Sequence, residues 1–260
     1  MKLKIFQIDA FTTTVFKGNP AAVVPLSSWI DDGLMQKIAA ENNLAETAFY
    51  VPFGERFEIR WFTPTIEVDL CGHATLAAAS VLFDHEGYES DKVIFNSRSG
   101  ELSVTNSNKL LTLDFPADPV TKTDLTEEIY KCFSRKPLVA YKGKSDLMLV
   151  FESESDIVDL NPDFRKLAQL PYRGVCATAR GDEVDFVSRF FAPQSGIDED
   201  PVTGSAHTTL VPYWSGVLKK QELTAHQVSP RSGILYCKNS GDRVNISGHA
   251  TTYLVGEIQV

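Results

Sequence analysis

Arg60 to Phe83 reads RWFTPTIEVDLCGHATLAAASVLF, and Arg189 to Trp214 reads RFFAPQSGIDEDPVTGSAHTTLVPYW. Phe62-Thr63-Pro64 aligns with Phe191-Ala192-Pro193, and Gly72-His73-Ala74 aligns with Gly204-Ser205-Ala206; the second loop carries three extra residues. Each copy has a strand, a proline-broken loop bearing carboxylates, a glycine, and a small-residue run of helical character. In the first copy that run, Ala74 to Phe83, has almost no polar side chains. Such a helix is apolar all round and belongs inside a domain. Beginning at a glycine within a core, it aims unpaired N–H groups and the positive end of its dipole at whatever lies above, which suits an anion. A repeat spaced by about half of a 260-residue chain predicts two similar domains with both helix starts facing one cleft.

Composition narrows the partners. The net charge is −9 and no Lys/Arg cluster or aromatic-basic interleaving appears, so nucleic acid and anionic membrane are poor partners. An anionic small molecule fits if its charge is met locally, as helix amides can do. Met1 to Phe11 alternates like a strand and holds Gln7 and Asp9, which is unlike a signal peptide. The uncharged run Leu70 to Phe83, with only Asp69 before it, is shorter than the ~20 residues a membrane helix needs. Cys71, Cys132, Cys176 and Cys237 are widely spaced, as expected of reduced cytosolic thiols, and the expected location is the cytoplasm.

Along the chain, strands are predicted at Leu3–Ala10, Ala21–Pro25, Leu44–Val51 and around Phe57, Ile59 and Trp61, with a helix capped by Asp31 or Asp32 in between. A meander over Lys92–Phe95, Glu101–Thr105 and Leu110–Phe115 follows the first buried helix. The second half is expected to hold a helix capped by Thr123 or Asp124 and strands near 138–141 and 147–151. A short helix from Asn161-Pro162 to Leu170 and a strand at 184–190 follow, then a buried helix kinked or broken at Pro212. A closing meander spans 234–238, 244–248 and 252–260. The expected domains are 1–117, joined by the last strand at about 252–260, and 118–251.

Five places invite a chemical reading. Glu46 lies in LAETAFYV and shares a face with Leu44, Ala48 and Tyr50. It is either a solvated or salt-bridged edge residue or a base whose pKa burial raises toward the range useful for taking and returning a proton. Simple alignment puts Val175 opposite it in the second half, so the carboxylate is unique to the first. Gly72 and Gly204 read as close-packed helix starts or as amide donors to an anion. His73 is a satisfied buried histidine or a partner of base or substrate. Asp200, in Asp198-Glu199-Asp200-Pro201, is a solvated acid or a second carboxylate in the cleft. Cys71 and His73 lack further zinc ligands at usable spacing, and as a nucleophile pair they need a geometry that a helix start rarely provides. No nucleotide-binding glycine motif is present.

DAFTTTVFKGNPAAVV, NNLAETAFYV, RWFTPTIEVDLCGHATLAAA and RFFAPQSGIDEDPVTGSAH together resemble motifs of the phenazine-biosynthesis isomerase (PhzF-like) family, of diaminopimelate epimerase-like fold. The resemblance covers nearly the whole chain. It implies an α+β fold of two pseudo-symmetric domains, each an antiparallel barrel-like sheet around a central helix, in a homodimer. It implies an isomerase without cofactor or metal, acting on a small anionic carboxylate. Glu46 would be base and then acid, with His73 and Asp200 catalytic, and with Asn19, Gly72, Gly204 and Ser205 binding substrate. The amino-acid racemases of that fold carry a cysteine before each helix; here Cys71 stands before the first but Thr203 before the second, so a two-thiol racemase is not expected. A silent family member that binds a metabolite or protein, and an epimerase using Glu46 with another base, are the alternatives.

Overall fold

The computed structural model describes residues 1–260. The chain divides into two compact units, residues 1–114 with 247–260, and residues 115–246. Unit 1 runs β1 (Lys2–Ala10), β2 (Asn19–Pro25), α1 (Asp32–Asn42), β3 (Glu46–Phe53), β4 (Arg56–Phe62), β5 (Glu67–Val68), α2 (Gly72–Asp84), β6 (Lys92–Ser97), β7 (Gly100–Ser107) and β8 (Leu110–Pro116). Unit 2 runs β9 (Thr121–Thr123), α3 (Glu127–Tyr130), β10 (Val139–Lys142), β11 (Asp146–Val150), α4 (Glu154–Val158), α5 (Phe164–Leu167), β12 (Gly174–Arg180), β13 (Phe186–Ala192), β14 (Ile197–Asp200), α6 (Gly204–Leu218), β15 (Glu222–Gln227), β16 (Gly233–Asn239) and β17 (Arg243–Gly248). The last strand, β18 (Ala250–Gln259), pairs antiparallel with β1 along its length and belongs to unit 1. The result is a mixed α/β chain rich in strand, with few helices.

In unit 1, β2 pairs antiparallel with β1 and parallel with β3, and β3 pairs antiparallel with β4. Side chains alternate across these strands. Phe49, Val51 and Phe62 pack with Met35, Ile38 and Ala39 of α1 on one face. Glu46, Ala48 and Tyr50 take the other face, toward α2. His73 through Leu82 are all buried, as the apolar run predicts. Asp31 caps α1 by accepting the Leu34 N–H, and Asn43 ends it in the left-handed conformation that asparagine tolerates.

Each loop ahead of a long helix is pinned alike. In unit 1 the Arg60 guanidinium grips Glu67 with two bonds of 2.7 and 2.8 Å and lies over Phe62. In unit 2 Arg189 grips Glu199 with bonds of 2.7 and 2.8 Å and lies over Phe191. A two-pronged arginine–carboxylate pair fixes geometry as well as charge, so each proline loop has a set path into its helix.

The structure corrects several expectations in unit 2. Thr123 lies in β9, paired with Ala140, so the next helix is capped at Thr126 and lasts one turn. Pro162 still bridges Phe133, and the following helix starts at Phe164, with Asp163 accepting the Lys166 N–H, and ends at Leu167. Strand β12 and helix α4 were not anticipated. Helix α6 continues through Pro212 from Gly204 to Leu218. Proline removes the N–H that Thr208 would accept from; the Asp118 N–H takes its place, 3.0 Å from the Thr208 carbonyl oxygen.

Candidate functional site

Glu46 opens β3, and its side chain is only 14 % exposed. Its register places it opposite Ala21 of β2, on the face turned to the start of α2. There its Oε2 lies 3.1 Å from Nε2 of His73. Neither atom has an aligned hydrogen bond, so the contact is a charge pair whose donor and acceptor are not yet satisfied. The opposite ring nitrogen, Nδ1, lies 3.5 Å from Sγ of Cys71 and 3.3 Å from Nδ2 of Asn19, which is fully buried on β2. Four expected or adjacent residues thus converge: Asn19, Glu46, Cys71 and His73, with Gly72 between the last two.

The electrostatics of this cluster reverse one expectation. Burial pushes the Glu46 carboxyl up, but the charge of His73 beside it outweighs this, and its pKa lies below the ordinary 4.5. Burial likewise disfavours a charged His73, yet with Cys71 a thiol the negative charge of Glu46 holds its pKa above the ordinary 6.5. Burial, reinforced by Glu46, keeps Cys71 a thiol by pushing its pKa up. The resting site is therefore carboxylate, imidazolium and thiol. A cation at the second residue of a helix is opposed by the dipole, so His73 depends on Glu46 for its charge. The anion at the positive end of α2 is here a side chain.

The donor atoms of Glu46, Cys71 and His73 lie within 4.8 Å of one another, a third ligand that spacing alone did not disclose. The imidazole, however, presents Nδ1 to the thiol and Nε2 to the carboxylate. A metal centre needs one nitrogen aimed at the same point as sulfur and oxygen. The arrangement is a chain of contacts with the ring in the middle, and it does not fit a metal as it stands. The Cys–His contact that seemed improbable at a helix start does form, because Cys71 precedes the helix in extended conformation and places Sγ beside the ring.

In unit 2 the matching helix start is chemically different. Val175 does not occupy the position of Glu46. Strand pairing sets Thr47 opposite Phe62 in unit 1 and Val175 opposite Phe191 in unit 2, so Glu46 corresponds to Gly174. A one-residue shift moves a side chain to the other face, and Val175 accordingly lies in the core formed with α3, α4 and α5. A Cβ on Gly174 would meet the Phe190 ring at 2.3 Å. Arg173, next to it, forms two bonds to buried Asp146, lies over Phe190, and donates to Ser205 Oγ at 3.1 Å.

The remaining expected residues also lie in unit 2. Asp200 accepts a 2.6 Å bond from Thr203 Oγ1, and its carbonyl accepts from Gln227 Nε2. Gly204 and Ser205 open α6 behind Thr203. The helix starts share one device: Thr75 Oγ1 donates to the Cys71 carbonyl at 2.6 Å, and His207 Nδ1 donates to the Thr203 carbonyl at 2.8 Å. Burial drives the His207 pKa down to about 4, so it serves as a neutral donor. A surface depression of about 590 Å³ lined by Pro162, Phe164, Arg165, Pro193 and Asp198 holds none of the expected residues and no buried titratable group. No helix is long and apolar enough to cross a membrane. All four cysteines are buried and unpaired with one another.

Comparison with known proteins agrees over the whole chain. The family model described as "Phenazine biosynthesis-like protein" matches residues 8–256. A protein of Pseudomonas aeruginosa named an uncharacterized isomerase is 50% identical over 260 residues, covering 100% of both chains. The crystal structure of a PhzF-family phenazine biosynthesis protein from Enterococcus faecalis superposes with a TM-score of 0.98 at 45% identity, covering 100% of both chains. A hydroxyproline epimerase from Agrobacterium vitis shares the fold alone, with a TM-score of 0.62 at 8% identity over 99% of this chain and 92% of its own. The chain belongs to the phenazine biosynthesis-like (PhzF) protein family, and within it to the enzymes named isomerases.

Proposed function

We propose that the protein is a cofactor-independent isomerase that moves a proton between two carbons of a small carboxylate substrate, with Glu46 as the single base and then the acid. The observation that carries this reading is the buried Glu46–His73 pair, 3.1 Å apart with both facing atoms lacking an aligned hydrogen bond. The Glu46 carboxylate takes a proton from carbon; the electron pair left behind spreads into the substrate's adjacent unsaturation. The same carboxyl then returns the proton at another carbon, so substrate and product are isomers. His73 supplies the positive charge against which a carbanionic intermediate forms, and Asn19 lies against the far side of its ring. The Gly72 amide and, in unit 2, Gly204 and Ser205 are assigned to substrate binding, with Asp200 as a second catalytic carboxylate. The reading includes two pseudo-symmetric halves, a homodimer, and a cytoplasmic setting in keeping with the free cysteines.

An epimerase needs a second base, and unit 2 offers Gly174 where unit 1 has Glu46. A silent binding protein has no need to keep an unsatisfied carboxylate beside an imidazolium. The test is NMR of a panel of small carboxylates incubated with the protein in D2O. Wild type is expected to place carbon-bound deuterium in a member of the panel, and Glu46→Gln to lose this by about 10³-fold while keeping its circular dichroism spectrum. Equal exchange by the two proteins overturns the assignment.

A further inference from the structure

We propose that Cys71 is a positioning residue for the Glu46–His73 pair, its sulfur holding the back of the imidazole so that Nε2 faces Glu46 in either charge state of the ring. This rests on the proton-transfer reading for its purpose but on geometry for its substance. Two atoms lie against Nδ1: Asn19 Nδ2 at 3.3 Å and Cys71 Sγ at 3.5 Å. An amide nitrogen only donates, so it serves a ring whose Nδ1 is bare. A thiol sulfur both donates and accepts, weakly. It gives its proton to a bare Nδ1 and, after rotation about Cβ–Sγ, accepts from Nδ1–H, with no heavy atom displaced.

The need for an acceptor there follows from the base's cycle. With Glu46 ionised, the ring is an imidazolium and Nδ1–H requires an acceptor; of these two neighbours only sulfur is one. When Glu46 carries the substrate's proton, the carbanion takes over as counter-charge and the ring keeps both protons, so the sulfur goes on accepting from Nδ1–H; a ring titrated to its neutral form is met by both donors. The titratable groups in contact with the ring are Glu46 and Cys71, and Asn19 is its uncharged contact. Cys71 is buried, so bulk water does not replace it. Besides the imidazole, the thiol faces Glu46 and the Ala74 N–H at the start of α2.

The test reads the His73 ring directly, by long-range ¹H–¹⁵N NMR of the full chain without substrate at neutral pH. Wild type is expected to show both ring nitrogens protonated. In Cys71→Ala the ring is expected to shift to the neutral form bearing its proton on Nε2, and Cys71→Ser is expected to restore part of the wild-type signal. With a substrate found by the D2O screen, kcat is expected to fall about tenfold in Cys71→Ala, the scale for groups that orient a functional imidazole, with KM within twofold. Unchanged ring signals in Cys71→Ala, or in Cys71→Val should the alanine variant not fold, overturn the proposal. So does a rise in KM at constant kcat, which marks a substrate contact. The ring signals need no turnover, so they stand or fall separately from the proton-transfer reading, which Glu46→Gln tests.

Discussion

The starts of α2 and α6 are built from the same local devices and differ in what the neighbouring strand brings to them. Each follows an extended residue without a side-chain cap, each has its cap carbonyl bonded from four residues on, and each is entered by a loop pinned by a two-pronged Arg–Glu pair. At α2 the neighbouring strand delivers a carboxylate, Glu46, against His73. At α6 the corresponding strand position is Gly174, the Phe190 ring fills the space, and the charges at hand are the Asp200 carboxylate bonded to Thr203 and the Arg173 guanidinium bound to Asp146 and Ser205. One half holds a buried carboxylate at this strand position and the other excludes one by packing. On the proposed reading, that difference separates a one-base proton transfer from a two-base inversion.

Transplanting the base is the harshest way to break the contrast. Gly174→Glu drives a side chain into Phe190 and buries a carboxylate near Asp146; a loss of about 3 kcal/mol or more is expected in urea unfolding, with no gain of exchange activity. A stable Gly174→Glu protein would show that packing does not exclude the second base. On the other side, His73→Gln leaves Glu46 without its counter-charge, and a fall of about 10²-fold in carbon-bound deuterium incorporation is expected, with little change in melting temperature.

Arg173→Met strands the nearly buried Asp146. The arginine side chain is 43% exposed, so solvent screening reduces the loss to about 2 kcal/mol rather than the full cost of a buried pair, measurable by thermal denaturation. Smallest of all is the pH response. The base works while charged, so exchange is expected to fall with decreasing pH only below Glu46's ordinary 4.5, because its folded pKa is lowered. It is expected to decline again only above 6.5, as the raised pKa of His73 is passed. A single acid limb centred above 4.5 would mean that burial, not His73, governs Glu46.

Much of this was legible in the residues. The repeat of Phe-Thr-Pro with Gly-His-Ala marked the two helix starts, and the apolar run after Gly72 marked α2 as a buried helix. Glu46 stood out because a carboxylate shared a face with Ala48 and Tyr50. What escaped was set by register and contact. Counting residues put Val175 in Glu46's place, whereas the ladder from β12 to β13 shows Gly174 there; an alignment anchored outside a strand has no means of fixing its phase. The direction of the Glu46 pKa depended on a histidine distant in sequence. The one-turn helices α3 and α5 were overestimated because β9 and the Pro162 bridge claim their expected first residues. The continuity of α6 past Pro212 rests on Asp118, an acceptor–donor match that local sequence does not announce.

The claim on which the account depends is that Glu46 stands ionised beside a protonated His73 before any substrate arrives. Difference infrared spectroscopy of wild type against Glu46→Gln, followed from pH 7 to pH 3, measures it without knowledge of the substrate. The account predicts a carboxylate band from Glu46 at pH 7 that gives way to a carboxylic acid band only below pH 4.5. A carboxylic acid band from Glu46 already present at pH 7 would contradict it.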